Sequence, residues 1–411
     1  AQARFPVGPG AVSCEWRRAL AGAMPRSLGP VDEGLARARA LEARLEPELL
    51  ALKALGLSFR DWRQLSPAEV KARCQNAHAA SPEHRSLLAT AIFVGTAQAC
   101  SRGSYWAPSR GCRRAREVCC RHLLPVSRAY SVGQVPHQQI EQIQQGRNLA
   151  KITCHARCHP LEACTRALAT GSGSQRVAVV HFTGTGDARN DSVRHHHLYE
   201  DQLFSRTTYL HAFERMAADI GRPVGAALDS GGIVYTPGVG VLRGPLEEGA
   251  PWSPDPARVD VLWVGLRPRP PLEGQSRYAR EEDRAAAAAA VDRVFRLAAA
   301  RGVEVLVLPP LGCGTHGCKH PVLDVAQLLR DAVAGYGHLF SEVAFASDFP
   351  AHWLDGCWRA FADALLNGRP PIEHTVSVPA CSQSQKSAVG ISGAQQLLLQ
   401  RAPRLHRKTF L

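Results

Sequence analysis

The residues from Val305 to Pro321, VLVLPPLGCGTHGCKHP, join an apolar run to a glycine-rich turn and the start of a helical pattern. Glycine adopts backbone angles that other residues avoid, so the N–H groups of such a turn can point at one anion. Turns of this kind at the carboxyl ends of parallel strands are where α/β proteins bind ligands. The stretch predicts either a phosphate-binding turn or an ordinary tight turn. Its candidate ligand-binding residues are Gly312, Cys313, Gly314, Thr315, His316 and Gly317.

A second candidate site is the pair of acids Glu200 and Asp201, which opens a helical pattern after a strand-like segment and a loop. A carboxylic acid that faces a pocket can donate a proton to a departing group. Acids are also favoured in the first turn of any helix, because the helix dipole is positive there. The pair is therefore interpreted either as a general acid with its neighbour or as ordinary N-terminal charge placement.

The segments between Pro82 and Gly368 alternate between strand-like and helix-like patterns, which predicts an α/β fold with a mixed sheet flanked by helices. Continuous apolar runs around Val179, Leu262 and Val307 predict central strands that are covered on both faces. The predicted strands cover residues 176–182, 231–239, 259–266, 303–310 and 342–347. The predicted helices cover residues 160–170, 199–219, 281–301 and 321–337.

Two flanking parts differ in composition from this main domain, residues 82–368. Residues 1–80 place leucines at roughly helical spacing, which predicts a helical N-terminal extension that either caps the main domain or binds a partner. Residues 369–411 are poor in large apolar groups, which predicts a disordered basic tail that either attracts nucleic acid or is simply solvated. Since the chain starts at Ala1 rather than at a methionine, we expect a fragment or a processed form.

The composition favours anionic partners. The formal net charge is +13, and cationic side chains that meet phosphates gain strong hydrogen bonds and release counterions. The 13 cysteines are spread over a long chain without the density of a disulfide scaffold, so we expect an intracellular protein, nuclear or cytoplasmic. No apolar run reaches the roughly 18 residues of a membrane span, and no membrane partner is expected.

Clusters of cysteine and histidine raise the question of a metal site. They are CHARCH (154–159), CRRAREVCCRH (112–122) and HHH (195–197). Zinc needs four such donors in tetrahedral reach, but these spacings do not match a paired finger or knuckle, so neither a metal nor another cofactor is predicted. The basic stretch 101–122 also interleaves arginines with Tyr105 and Trp106, which favours either nucleic-acid contacts or a charged rim.

Six blocks of the sequence follow, in order and spacing, those of the microbial-type poly(ADP-ribose) glycohydrolase domain, which the chain resembles over about residues 82–350. They are RSLLATAIFVGTAQACSRGSYW, HPLEACTRALATGSGSQRVAVVHFTGTGDA, YEDQLFSRTTYL, GGIVYTPGVGVLRG, VDVLWVGLRPRP and VLVLPPLGCGTHG. The resemblance implies a macrodomain-like α/β fold whose glycine turn surrounds the diphosphate of ADP-ribose. It also implies hydrolysis of ribose–ribose bonds in poly(ADP-ribose), with ADP-ribose or an ADP-ribosylated protein as partner.

The resemblance assigns roles to residues outside the turn. Asp201 stands at the glutamate that in the family protonates the departing ribose oxygen, and Glu200 stands at the neighbour that orients a ribose. His181 stands at an asparagine that ends the preceding strand. Asn190 and Asp191 stand in the family's triglycine loop, so these positions are expected to lie at the ligand. His316 stands at an aromatic position that packs against a ribose.

The sequence also departs from the family pattern, and the departures leave three functions open. Side chains at residues 189–191 in place of three glycines block close approach of the loop to the distal ribose. Asp201 is one methylene shorter than glutamate, which withdraws the acid by about a bond length. An active hydrolase, an inactive ADP-ribose reader and a nucleic-acid-binding protein all remain. Arg243 and Arg267 are interpreted as diphosphate contacts or as surface arginines.

Overall fold

The structure is a computed structural model. It describes residues 82–108, 115–136, 150–171, 174–184, 199–220, 231–267, 269–274, 277–313, 319–347 and 358–366. Of the predicted N-terminal extension it describes residues 69, 72, 73 and 76, all in helical conformation. The predicted basic tail, residues 369–411, lies outside the described residues. The division into extension, main domain and tail stays a prediction.

Helices and strands alternate along most of the described chain. The helices are α1 (Pro82–Arg102), α2 (Pro160–Thr170), α3 (Tyr199–Arg206), α4 (Tyr209–Ile220), α5 (Glu281–Ala300), α6 (Val322–Tyr336) and α7 (Arg359–Leu366). The strands are β1 (Ser104–Pro108), β2 (Ala115–Cys119), β3 (Arg128–Tyr130), β4 (Lys151–Ala156), β5 (Val177–Gly184), β6 (Ile233–Arg243), β7 (Trp252–Leu266), β8 (Leu272–Glu273), β9 (Arg277–Tyr278), β10 (Val305–Leu308) and β11 (Glu342–Ser347). Among the described residues, no helix has the length and apolar character needed to span a membrane.

Within the described ranges, seven strands form one mixed sheet in the order β3-β6-β7-β5-β10-β11-β4. The pairs from β7 through β5, β10 and β11 to β4 are parallel, whereas β6 runs antiparallel to β7 and to β3. The strands β1 and β2 form a separate antiparallel hairpin. The predicted α/β fold with a mixed sheet is therefore confirmed.

The central strands are buried on both faces. Val179, Leu262 and Val307 each have 0% exposure, which confirms the central position predicted from the continuous apolar runs. Alternate residues of β5 enter different hydrophobic clusters: Val180 packs in the cluster that contains residues of α5, α6 and α7. Val179 packs in the cluster on the opposite face, with residues of α2, α3 and α4. Helices therefore cover the sheet on both sides.

The predicted helix over residues 199–219 is divided into α3 and α4 at Thr207 and Thr208. Thr207 pairs with Val241 of β6 in an isolated bridge. The hydroxyl of Thr208 donates to the carbonyl of Leu123 at 2.8 Å and accepts from the N–H of Gly240 at 2.9 Å. Threonine is a weak helix former whose hydroxyl competes for backbone groups, so these tertiary partners end the helix where the local pattern continues.

The strand predicted over residues 259–266 is wrong at its start, because β7 begins seven residues earlier, at Trp252. This first half contains Pro254 and Pro256, which argue against a strand in a local reading. Among the strands that the structure describes, this first half of β7 pairs with β6 alone, for example through Val241 and Arg243, and the register of β5 begins only at Asp260. One edge of β7 is therefore free of ladder hydrogen bonds, and a strand tolerates proline there.

We expect Thr208→Val to destabilise the fold by about 2–4 kcal/mol, because an isosteric methyl leaves two buried backbone partners without a hydrogen bond. Urea denaturation of the wild type and the variant measures this difference. Thr170→Val is the matched control, since its exposed hydroxyl contacts only carbonyls of its own helix, and it should change stability by less than about 0.5 kcal/mol. Equal effects of the two substitutions would contradict the anchoring role of Thr208.

Candidate functional site

The described strands that run parallel all end at one edge of the sheet. Their last residues are Ala156 of β4, Gly184 of β5, Leu266 of β7, Leu308 of β10 and Ser347 of β11. The crossover connections of such a sheet place loops and helix N-termini outside this edge, where open α/β sheets bind their ligands. The two candidate sites of the sequence follow β10 and β5, which are neighbours in the sheet.

The glycine turn begins shortly after β10, behind Pro309 and Pro310. Gly312 has a positive φ of 63°, a backbone conformation that glycine adopts at low cost. The N–H of Cys313 donates to the carbonyl of Pro310 at 3.2 Å, and the N–H of His320 donates to the carbonyl of Gly312 at 3.0 Å. The predicted residues Gly314, Thr315, His316 and Gly317 lie outside the described residues.

Cys313 belongs to the hydrophobic core rather than to an open surface. Its residue exposure is 6%, and its thiol lies 3.5 Å from the carbonyl oxygen of Leu311. A ligand at this turn would therefore meet Cys313 through its backbone and not through its sulfur.

His181 is enclosed by aromatic side chains. It is 1% exposed, and its ring stacks on Trp263 at a centroid distance of 5.5 Å. The rings of Phe204 and Tyr209 meet it edge-on at 5.9 and 5.8 Å, and its Nδ1 lies 3.5 Å from the hydroxyl of Tyr209. In the structure, His181 packs against α3 and α4. These helices cover one face of the sheet, and α6, the helix that follows the glycine turn, covers the other. Ligand contact by His181 stays a prediction.

The acids Glu200 and Asp201 lie in the first turn of α3, which begins at Tyr199. Their side chains, and the whole of Asn190 and Asp191, lie outside the described residues. The opposite end of α3 is held firmly, since the hydroxyl of Thr96 in α1 donates to the carbonyl of Ser205 at 2.6 Å. Because α3 is held at its C-terminal end, the position of its first turn, which contains Glu200 and Asp201, is also fixed.

A buried ion pair also anchors α3. Arg206 is 1% exposed; it contacts the carboxylate of Glu162 in α2 and donates to the side-chain oxygen of Gln202 at 2.8 Å. Burial by itself would raise the pKa of Glu162, but Arg206 and His159 outweigh it and hold that pKa well below its usual range. A buried guanidinium needs such a partner, so α2 and α3 are locked together.

Arg243 is not a surface arginine, so that interpretation from the sequence is wrong, and its position does not favour the other interpretation, a diphosphate contact. It is 1% exposed, and its guanidinium lies 3.4 Å from the ring centroid of Trp252. Its Nε donates to Thr96 and its Nη1 to the carbonyl of Ala250, each at 3.0 Å. Since β6 runs antiparallel to β7, its last residue, Arg243, lies away from the edge where the parallel strands end.

A second polar network holds the glycine turn. Nε2 of His320 lies 3.0 Å from the carbonyl oxygen of Arg267, and its Nδ1 lies 2.6 Å from the hydroxyl of Tyr278. A carbonyl oxygen only accepts, so Nε2 carries the proton and Nδ1 accepts from Tyr278. Arg267 in turn donates to Asp283 at 2.5 Å. No role for His320 is predicted from the sequence, because no local pattern distinguishes this residue from His316.

The described residues contain no group of three or more histidine, cysteine or acidic side chains placed to hold a metal ion. In the CHARCH stretch, His159 caps α2 by accepting from the N–H of Leu161 at 3.1 Å. The clusters at 112–122 and 195–197 lie partly or wholly outside the described ranges. Cys100, Cys119, Cys120 and Cys164 are free thiols.

The fold defines a mixed α/β protein whose parallel strands end at one edge of the sheet. No family model and no curated protein sequence matches the chain. Solved structures do. The poly(ADP-ribose) glycohydrolase of Thermomonospora curvata bound to the inhibitor ADP-HPD has a TM-score of 0.50 and 21% identity, over 69% of this chain and 98% of that one. Another structure of this enzyme has a TM-score of 0.49 and 20% identity, over 69% and 99%.

The poly(ADP-ribose) glycohydrolase of Deinococcus radiodurans in complex with ADP-ribose has a TM-score of 0.46 and 19% identity, over 59% of this chain and 94% of that one. The likeness to the inhibitor-bound Thermomonospora structure shows that this chain has the macrodomain-like fold of the microbial poly(ADP-ribose) glycohydrolases. The resemblance inferred from the sequence blocks is thereby confirmed for the fold.

We expect stability to fall as the pH drops from 6.5 to about 4, and His320 to contribute to this loss. Burial lowers the pKa of His320 from 6.5 to about 4, against the opposing effects of the Arg267 carbonyl and Asp283. Between these values the unfolded chain takes up a proton that folded His320 does not, so acid favours unfolding, by up to about 3 kcal/mol.

Urea denaturation at several pH values, on the wild type and on His320→Gln, measures this contribution. Glutamine does not titrate, so the stability advantage of the wild type over the variant should shrink as the pH falls through this range and stay constant above it. Parallel pH profiles for the two proteins would contradict a neutral, buried His320.

Proposed function

We propose that the chain binds ADP-ribose at the carboxyl edge of its sheet, with the glycine turn around the diphosphate. The observation that carries this proposal is the conformation of Gly312, which has a φ of 63° and lies shortly after the buried strand β10. This geometry turns the chain at the sheet edge and leads it into α6. The shared fold of the inhibitor-bound Thermomonospora enzyme supports the choice of ligand.

The electrostatics of the turn suit an anion. The N–H groups at the start of a helix have no partner within the helix, and its dipole favours negative charge there. The helix α6 starts at Val322, soon after the turn, and the exposed Lys319 stands between them. Gly314, Thr315, His316 and Gly317 would complete the cradle through their backbone N–H groups.

Hydrolysis of ribose–ribose bonds in poly(ADP-ribose) is the finer proposal. It is supported by the position of Glu200 and Asp201 in the first turn of an anchored helix, reached from the end of β5. Asp201 would protonate the departing ribose oxygen while water attacks the anomeric carbon, and Glu200 would orient a ribose. The shorter acid and the side chains at residues 189–191 favour slow turnover, or a reader that binds without turnover.

We expect ADP-ribose to bind the wild type and to bind Gly314→Glu more than about 100-fold more weakly, because a carboxylate in the cradle repels the diphosphate. Isothermal titration calorimetry measures both affinities. Gly335→Glu is the matched control, since it adds the same charge to α6 at a position with open space around it, and it should bind as the wild type does. Absence of binding to the wild type would overturn the proposal. Salt-steep oligonucleotide binding that survives Gly314→Glu would instead indicate a nucleic-acid-binding protein.

We expect release of ADP-ribose from an automodified polymer to be slow and to be abolished by Asp201→Asn, which removes the acid but keeps the side chain's size. Glu200→Gln should reduce the rate while leaving some turnover. Chromatography of the released ADP-ribose measures the rate, and calorimetry on the same samples shows that binding is retained. Binding without any turnover by the wild type would identify a reader, and turnover unchanged by Asp201→Asn would exclude Asp201 as the general acid.

A further inference from the structure

A half-exposed arginine stands at the carboxyl edge, next to the candidate site. Leu266, the last residue of β7, is the register partner of Gly184, the last residue of β5. Arg267 follows at once, with a side chain that is 51% exposed. The backbone of Arg267 therefore follows the strand next to β5, which leads to the acidic pair, and lies two strands from β10, which leads to the glycine turn.

A buried carboxylate holds this arginine. Asp283, in the first turn of α5, has a side chain that is 2% exposed, and its Oδ1 lies 2.5 Å from Nη1 of Arg267. A guanidinium has five N–H donors, and Asp283 occupies one side of it. About half of the Arg267 side chain remains exposed to solvent. An arginine that is oriented by a buried acid loses less side-chain freedom when it binds a second anion.

The backbone of Arg267 is tied to the glycine turn through a single residue. The side chain of His320 contacts the carbonyl oxygen of Arg267 at 3.0 Å. The backbone N–H of His320 donates to the carbonyl of Gly312 at 3.0 Å. Adjacent strands lie about 4.8 Å apart, so the segment before α6 reaches across about 10 Å to make this link. His320 therefore fixes the backbone of Arg267 relative to the start of the glycine turn.

We propose that Arg267 binds a phosphate oxygen of the nucleoside diphosphate ligand and that Asp283 is its positioning residue. This inference rests on the proposed function and adds a cationic side chain to a cradle otherwise built from backbone N–H groups. Guanidinium and phosphate are matched in geometry and charge. The ligand's diphosphate would then lie between Arg267 and the glycine turn, and its negative charge would be shared by the two strand ends.

The test is calorimetry with ADP-ribose and with ADP on the double variant Arg267→Gln/Asp283→Asn. This variant removes the ion pair without leaving an unpaired buried charge, and it keeps the net charge of the wild type. We expect both ligands to bind about 10-fold to 100-fold more weakly. The matched control is Arg116→Gln/Asp255→Asn, an exposed pair at 2.7 Å whose arginine is 52% exposed. Asp255 of this pair lies at the other end of β7, so we expect the control variant to bind both ligands as the wild type does.

Single variants separate ligand contact from positioning. Asp283→Asn alone should weaken binding by less than the double variant, and it should add nothing once Arg267 is glutamine, because Asp283 acts only through the arginine. Thermal denaturation checks that each variant is folded. If the wild type binds ADP-ribose and the double variant binds it equally well, this inference is overturned while the proposed function stands. A loss confined to ADP-ribose, with ADP unaffected, would exclude phosphate contact. A wild type that binds neither ligand would overturn both.

Discussion

Parallel pairing of β5 with β7 on one side and β10 on the other is the constraint on which the rest of the structure depends. Strands paired on both sides satisfy their backbone groups within the sheet, and their two faces must then be covered by apolar contacts. Parallel neighbours also need crossover connections, which place helices on the faces and bring the strand ends to one edge. The chain leaves the sheet at that edge both before the glycine turn and before α3, because these two elements follow the adjacent strands β10 and β5.

Buried polar groups then fix the positions of the two parts of the candidate site, α3 and the glycine turn. On one side, Arg206 and Glu162 lock α3 against α2, and the hydroxyl of Thr96 fixes its last turn. On the other, His320 holds the backbone of Gly312 and Arg267 in one frame. Such groups are costly to bury without partners, so each network permits few arrangements of the elements that it joins.

Part of the candidate site was predictable from local sequence and part was not. A glycine-rich segment shortly after an apolar strand is visible in the sequence, and Gly312 has the positive φ that this residue type allows. Other expectations depend on side-chain direction, which a local pattern does not give. His181 was expected at a ligand; in β5 its ring packs in the aromatic cluster around Trp263, and its contact with a ligand stays a prediction. Arg243 was expected near a diphosphate or in solvent, but the direction of β6 carries it away from that edge and under Trp252.

The sequence by itself determined the α/β class, the central strands and the start of the glycine turn, because apolar runs and glycine act through local physics. It also carried a resemblance that extends to the fold. Only the tertiary structure decided that one helical pattern breaks at Thr208, that β7 extends through two prolines, and that Arg267, Asp283 and His320 meet. These outcomes depend on partners distant in the chain, such as Leu123 for Thr208 and Arg267 for His320. Hydrogen bonds between distant residues leave no periodic signal in the sequence.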